Sequence, residues 1–244
     1  MKASLLLSIV AYFNYQMICA QISGRVIDKA TKEGIPYVSI WVENGNNGAT
    51  AEEDGKFSLK TNEENNKLIF SALGYEKRIL AGSKDMVVEL EPSAIQLNEV
   101  VLVKKYGTKV IEIGETESPF LKAYENGPRI DIKLFPYSEK YKKTKFIKQL
   151  IINTDCRINE AMIKLHLYRV NPNGLPGEEL FTKDFVVSVS KGVKKTIFNL
   201  SSLHLVMPKE GVFAGFERLK IESNAYEKSV FDANTQSVIV QTSY

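Results

Sequence analysis

The sequence predicts an all-β protein made of two antiparallel β-sandwiches in series, and three observations carry that expectation. Short runs alternate apolar with polar residues, as in Val38-Ser39-Ile40-Trp41-Val42 and Ile163-Lys164-Leu165-His166-Leu167. That period of two sends successive side chains to opposite faces of a strand. Turn clusters such as Asn44-Gly45-Asn46-Asn47-Gly48 and Glu52-Glu53-Asp54-Gly55 separate the runs, and about seven short strands crowd into the first seventy residues or so of the pattern, the density of a small sandwich.

The expected division is a signal peptide over residues 1–20, a first sandwich over 21–103, a linker or docking segment over 104–127 and a second sandwich over 128–244. Met1-Lys2 supplies a positive charge, Leu5 to Phe13 an apolar stretch, and Met17-Ile18-Cys19-Ala20 a small-residue ending. This is the grammar of an export signal cleaved before Gln21. The stretch is too short, and too interrupted by Asn14 and Gln16, to span a membrane, so no spanning segment is expected after cleavage. Cys19 offers a lipid-anchored alternative, against which Ile18 stands in the position usually held by a small residue.

An apolar share of 44% with 25% charged residues is enough for two cores, and a net charge of +3 gives no electrostatic reason for a nucleic-acid partner. With the signal removed, Cys156 is the one cysteine left, so no internal disulfide can staple the fold. His166 and His204 are the only histidines. A zinc site would have to recruit both, Cys156 and a carboxylate, so neither metal nor cofactor is expected.

Along the first half, Ile22, Gly24 and Val26 share a face before the turn from Asp28 to Gly34. Val38, Ile40 and Val42 point one way on the next strand, with Tyr37, Ser39 and Trp41 on the other, which marks that second face as something other than plain solvent surface. Packing accounts for Trp41 most simply; its functional alternative is a sugar-stacking platform, with Tyr37 beside it. Asp54-Gly55 reads as a tight turn into Phe57 and Leu59. The run Glu52-Glu53-Asp54 lacks the alternating spacing of a calcium loop. Residues from Lys67 to Leu73, Lys77 to Leu80 and Met86 to Leu90 complete the set.

Taken together, Gly24-Arg25-Val26, Gly34-Ile35-Pro36, Val38 to Val42, Glu53 to Leu59 and Phe70-Ser71-Ala72-Leu73-Gly74-Tyr75 resemble the carboxypeptidase-regulatory-like family. The resemblance implies a transthyretin-like (prealbumin-like) sandwich of the kind found at the N-terminus of secreted proteins and of TonB-dependent outer-membrane receptors. Gln96 to Leu102 is similar to the segment that follows the domain in those receptors. The stretch beyond Val103 is too short for a barrel of about 22 strands of roughly ten residues each, so the transport role is not implied. Peptidase activity is not implied either, because the likeness is to an accessory module.

Val110, Ile111 and Ile113 offer a short strand within the linker. In the second half Ile130, Ile132 and Leu134 alternate up to Pro136. Lys140, Lys142, Lys143, Lys145 and Lys148 then mix with Tyr137, Tyr141 and Phe146, which a solvated loop explains better than nucleic-acid binding, an anionic glycan or lipid headgroup being the other reading. Ile163, Leu165 and Leu167 form an apolar face, which sends Lys164, His166 and Tyr168 the other way and makes His166 a lone surface histidine by register, with Glu160 and Asp155 the nearest candidate partners. Asn171 to Gly177 reads as a rigid loop in which two prolines fix φ and two glycines permit turns. Strands are expected around Phe181 to Val189, Thr196 to Leu200, Leu203 to Pro208, Gly211 to Leu219 and Ser237 to Tyr244. Leu167-Tyr168, Gly174 to Leu180, Phe198-Asn199-Leu200 and Gly211 to Gly215 are similar to the jelly-roll-like accessory sandwiches of secreted bacterial surface proteins, which implies adhesion, glycan contact or attachment. The alternating strand at Ser237 to Tyr244, with its final aromatic, also raises a small membrane barrel; short strands and charged loops argue against it.

No phosphate-cradling glycine loop, nucleophile elbow or His-Glu-x-x-His helix occurs. The expected function is that of an exported, non-enzymatic cell-envelope protein acting as a binding or scaffolding module toward an envelope protein or glycan, in the periplasm or at the outer membrane. A carbohydrate-binding or adhesin-like module is the alternative, with Trp41, Tyr37, Asn173 and Gly174 as candidate ligand contacts; a hydrolase with an unrecognised site is the third. No catalytic, cofactor-binding or metal-ligating residue is assigned.

Overall fold

A computed structural model describes residues 20–61, 66–93, 109–114, 129–232 and 236–244. The expected signal peptide and most of the linker lie outside these residues. The fold is all-β, interrupted in the described residues by three single-turn 3₁₀ segments.

The first half holds seven strands: β1 (Ala20–Asp28), β2 (Ser39–Val42), β3 (Gly48–Thr50), β4 (Lys56–Thr61), β5 (Lys67–Ser71), β6 (Arg78–Ala81) and β7 (Met86–Leu90). One sheet runs β4-β1-β7 and the other β3-β2-β5-β6. All the pairings are antiparallel except β1 with β7, which run parallel. The inward positions of both sheets interleave Val26, Ile40, Phe57, Leu59, Leu68, Phe70, Val88 and Leu90, with Phe57 meeting Phe70 edge-on at 5.6 Å between ring centres. β4 alternates exposed and buried along its whole length, as a strand with one wet face must.

The turn motifs of this half acquire physical reasons. Gly55 adopts φ 83° at the tight turn, and a Cβ there would sit 2.4 Å from the Val26 carbonyl oxygen. Asp28, buried at the end of β1, accepts hydrogen bonds from the backbone N–H groups of Ala30 and Thr31 and from the Tyr75 hydroxyl at 3.0 Å. One carboxylate thus pins the first turn to the Gly74-Tyr75 turn.

The second half adds β8 (Arg129–Phe135), β9 (Gln149–Cys156), β10 (Ala161–Val170), β11 (Pro176–Glu179), β12 (Phe185–Val189), β13 (Gly192–Asn199), β14 (Val212–Arg218), β15 (Tyr226–Asp232) and β16 (Ser237–Ser243). The main sheet runs β11-β10-β14-β8, with β12 also paired to β10. β9 and β13 form a smaller sheet, and β15 and β16 a separate ribbon. Ile163, Leu165, Leu167, Val212 and Ala214 of the main sheet enclose a core with Ile152 and Phe198 of the smaller one, joined by Phe181, Leu200 and Met207.

Two local expectations change. Leu203 to Pro208 is not a strand: a 3₁₀ turn at Ser201–Leu203 ends with His204 in a left-handed conformation, and a single bridge ties Val206 to Phe146. Residues 109–114 contain no strand, although Ile113 packs against the second core. Alternation marks which side chains are buried, but a strand also needs a partner for its backbone groups.

Candidate functional site

The most ordered chemistry lies on the second face of β10, where the two halves meet. β10 and β14 are antiparallel neighbours in a register that sets Lys164 opposite Glu217 and His166 opposite Gly215. The far edge of β10 is shared: β12 pairs with residues 161–165, and β11 with the stretch from Tyr168 to Val170. Glu179 ends β11 and Asp184 precedes β12, so the changeover delivers a carboxylate from each side. Ser39 and Tyr37, from the first half, cover this face.

Lys164 donates to the Tyr37 carbonyl oxygen at 2.8 Å, and its Nζ lies 3.4 Å from Asp184 Oδ2 and 3.9 Å from Glu217 Oε2. Glu217 accepts from Ser39 Oγ at 2.8 Å and faces His166 Nε2 at 3.3 Å. His166 Nδ1 is 2.9 Å from Glu179 Oε2 and 2.8 Å from the Tyr168 hydroxyl, while Glu179 Oε1 accepts from the Leu167 N–H at 2.6 Å. The His166 and Tyr168 rings stack within 8° of parallel.

His166 is therefore no surface histidine. It is 8% exposed, Lys164 2% and Glu217 1%; the register that turns them from one core turns them onto the opposite half of the molecule. Its carboxylate partners are Glu179 and Glu217 rather than Glu160 or Asp155. Burial opposes the charged ring, but hydrogen bonds from His166 to Glu179 and Glu217, with the charge on both, raise its pKa to about 9. The ring is a cation at neutral pH, both nitrogens donating. Burial likewise works to raise Glu217, yet His166, Lys164 and Ser39 hold it below the usual carboxylate range. Three carboxylates face two cations. Asp184 is the most accessible of the three at 21% side-chain exposure, and burial pushes its carboxyl up against the pull of Lys164. Burial, then the charges on Glu179 and Glu217, push the Tyr168 phenol up as well.

The seam continues at the rim. The Lys220 N–H donates to Thr50 Oγ1 at 3.0 Å, the Glu222 N–H to Glu52 Oε1 at 2.8 Å, and Lys220 Nζ to the Gly48 carbonyl oxygen at 3.3 Å. Two of the acids read against a calcium loop have other duties: Glu52 accepts from the Glu222 N–H across the seam, and Asp54 pairs with Lys56 within its own turn. Leu73 of the first half packs against the second core.

This arrangement suits fastening better than catalysis. In a Ser-His-acid triad the histidine touches the serine; here Glu217 stands between Ser39 and His166, so the two do not form that pair. His204 is exposed and faces the Ser202 carbonyl at 2.9 Å. Among the described residues no group of three or more His, Cys, Asp or Glu is placed to hold a metal ion.

The candidate ligand contacts fall on separate elements. Trp41 is half-buried on β2, paired across the sheet with Gly48 and Ile69, and Tyr37 sits just before β2 at φ 55° with its carbonyl on Lys164. Asn173 and Gly174 stand exposed at the tip of the β10–β11 loop, where Asn171 Oδ1 accepts from the N–H groups of Asn173 and Leu175. A cleft of about 250 Å³ opens elsewhere, beside the seam, lined by Asn46, Asn47, Arg218, Lys220, Gln241 and Tyr244 among others. Lys220 Nζ lies 5.6 Å from the centre of the Tyr244 ring there. Sequence reading missed both this cleft and the Lys164–Glu217 pair. The available signal for the pair was one lysine and one glutamate, each set into a long apolar run.

These features define a class: an all-β protein whose two sandwich-like halves are fastened by a buried ionic seam. Residues 22–102 match the family model of the CarboxypepD_reg-like domain. Among solved structures, the chain aligns to a DUF3823 family protein from Bacteroides ovatus at 7% identity, covering 84% of this chain and 100% of that one, with a TM-score of 0.23. A DUF3823 family protein from Parabacteroides merdae aligns at 11% identity, covering 82% and 98%, again with a TM-score of 0.23. No match was found among curated proteins. Among the described residues no helix is long and apolar enough to cross a membrane.

Proposed function

We propose that the chain is an exported, non-enzymatic cell-envelope protein that works as a binding or scaffolding module, with its two halves presented as one body. The observation that supports this reading is the closure of the buried cluster: Lys164, His166, Glu217, Glu179 and Ser39 satisfy one another across the two halves. The CarboxypepD_reg-like domain, an accessory module in the proteins it resembles, supports the envelope setting. Fractionating the native host and weighing the protein by mass spectrometry tests it. The expected species is in the envelope fraction and lacks residues 1–20; an unprocessed chain in the cytosol overturns the export reading.

A carbohydrate-binding module is the second reading, favoured by the cleft, whose amide, hydroxyl, cationic and aromatic groups match the hydroxyls and faces of sugars. Glycan-array binding that is lost in Lys220→Gln and kept in Trp41→Ala places the contact in the cleft. Loss with Trp41→Ala alone, or with a change at Asn173 and Gly174, restores the platform or loop reading. No binding to any glycan removes this second reading.

A further inference from the structure

The ribbon of β15 and β16 is the place where the chain is least self-sufficient. Among the described residues neither strand pairs with a strand of another sheet, and isolated two-stranded ribbons are marginal in water. Its root is held: Ser243, opposite Tyr226, is buried, and the Arg157 guanidinium lies 5.9 Å from the centre of the Tyr226 ring. The outer part is not covered. Phe231 is 65% exposed, Val238 67%, Ile239 43% and Val240 65%, and the register puts Phe231 beside Val238 on one face with Val240.

Sheet edges in water are normally guarded by charge, proline or a bulge. β15 has Glu227, Lys228 and Asp232. β16, Ser-Val-Ile-Val-Gln-Thr-Ser, has no charge, no proline and no glycine, and pairs with β15 in an unbroken register. Such an edge accepts a strand.

We propose that β16 pairs antiparallel with β16 of a second copy of this chain, about a two-fold axis at Ile239. Charge and shape select this occupant. Centred there, Ile239 faces its own counterpart, Val238 of each copy faces Val240 of the other, and Ser237 faces Gln241, so every apolar residue meets an apolar one and no like charges are opposed. A two-fold contact needs this kind of self-complementarity. The product is a continuous four-stranded sheet, β15-β16-β16-β15, with both inner edges satisfied and the valines of both copies on one face.

Sedimentation velocity of the purified protein over a hundredfold concentration range tests the pairing. A concentration-dependent dimer is expected, with Ile239→Lys, which sets two lysines against each other on the axis, weakening it at least tenfold. A protein that stays monomeric throughout, or a dimer that Ile239→Lys leaves intact, overturns the proposal. Should Ile239→Lys fold poorly, Ile239→Cys in a Cys156→Ser background provides a second measurement. Mild oxidation is expected to link it into a covalent dimer while Phe231→Cys in the same background stays unlinked; equal linking of both, or of neither, overturns the pairing.

Discussion

β10 and β16 invert the usual placement of side chains in opposite ways. On β10, Lys164 and His166 are buried, with Glu217 of the neighbouring strand beside them; on β16, Val238, Ile239 and Val240 stand exposed. The difference lies in where the partner is. The charges of β10 are answered within the chain, by Glu179, Asp184, Glu217 and the Tyr37 carbonyl drawn from four other segments, with Ser39 completing Glu217. The apolar groups of β16 are answered by nothing among the described residues. A buried charge is tolerated only when it is paired, because the cost of removing it from water must be offset locally. An exposed valine costs far less, and so can wait for another molecule.

The largest effect is expected from breaking the β10 side. Glu217→Ala takes one buried carboxylate from both Lys164 and His166, leaving Asp184 and Glu179, and is expected to cost roughly 3 kcal/mol, the lower end of the range for breaking a buried ion pair; urea unfolding measures it. The change separates pairing from simple apolar packing when combined with Lys164→Met. If the double variant is no more stable than Glu217→Ala alone, the cost came from lost volume rather than from the orphaned charge.

A smaller effect comes from pH. The folded-state pKa of His166, about 9, lies above its unfolded value near 6.5, so the folded state holds the proton more tightly. The stabilisation is complete below about pH 6.5 and is lost as pH rises toward 9, at no more than 1.36 kcal/mol per unit. Lys220 acts in the opposite sense at the alkaline end, since burial and nearby Lys60 disfavour its charged form. Urea midpoints from pH 6 to 10 are therefore expected to fall in the native protein, and His166→Gln to flatten the fall between 6.5 and 9. An identical slope in both proteins assigns the pH dependence elsewhere.

The smallest effect is expected on β16. Val238→Thr keeps a β-branched side chain in the strand and removes exposed apolar surface, so its unfolding free energy is expected to stay within about 0.5 kcal/mol of native. A loss of more than 2 kcal/mol, measured at concentrations where the protein is monomeric, means that Val238 is covered within its own chain, and the contrast between the two strands collapses.

Much of the fold was legible because β alternation is a local property. Val38, Ile40 and Val42 announce one buried face, and Tyr37, Ser39 and Trp41 a second face that meets something. The structure adds that Ser39 meets Glu217 and Tyr37 meets Lys164. The strand expected at Leu203 to Pro208 failed because alternation does not say whether a neighbouring backbone is in reach. His166 failed for a related reason: register tells which way a side chain points, not what stands in front of it.

The periods, turns and glycines of the first half are written in neighbouring residues, and the sequence alone determined them, together with the likeness to the CarboxypepD_reg-like domain over residues 22–102. Tertiary structure alone decided that Ser39 and Glu217, 178 positions apart, would share one hydrogen bond, and that His166 would be charged. A pKa and a buried pair depend on distances between segments that no local pattern encodes, and on the water those segments exclude when they close.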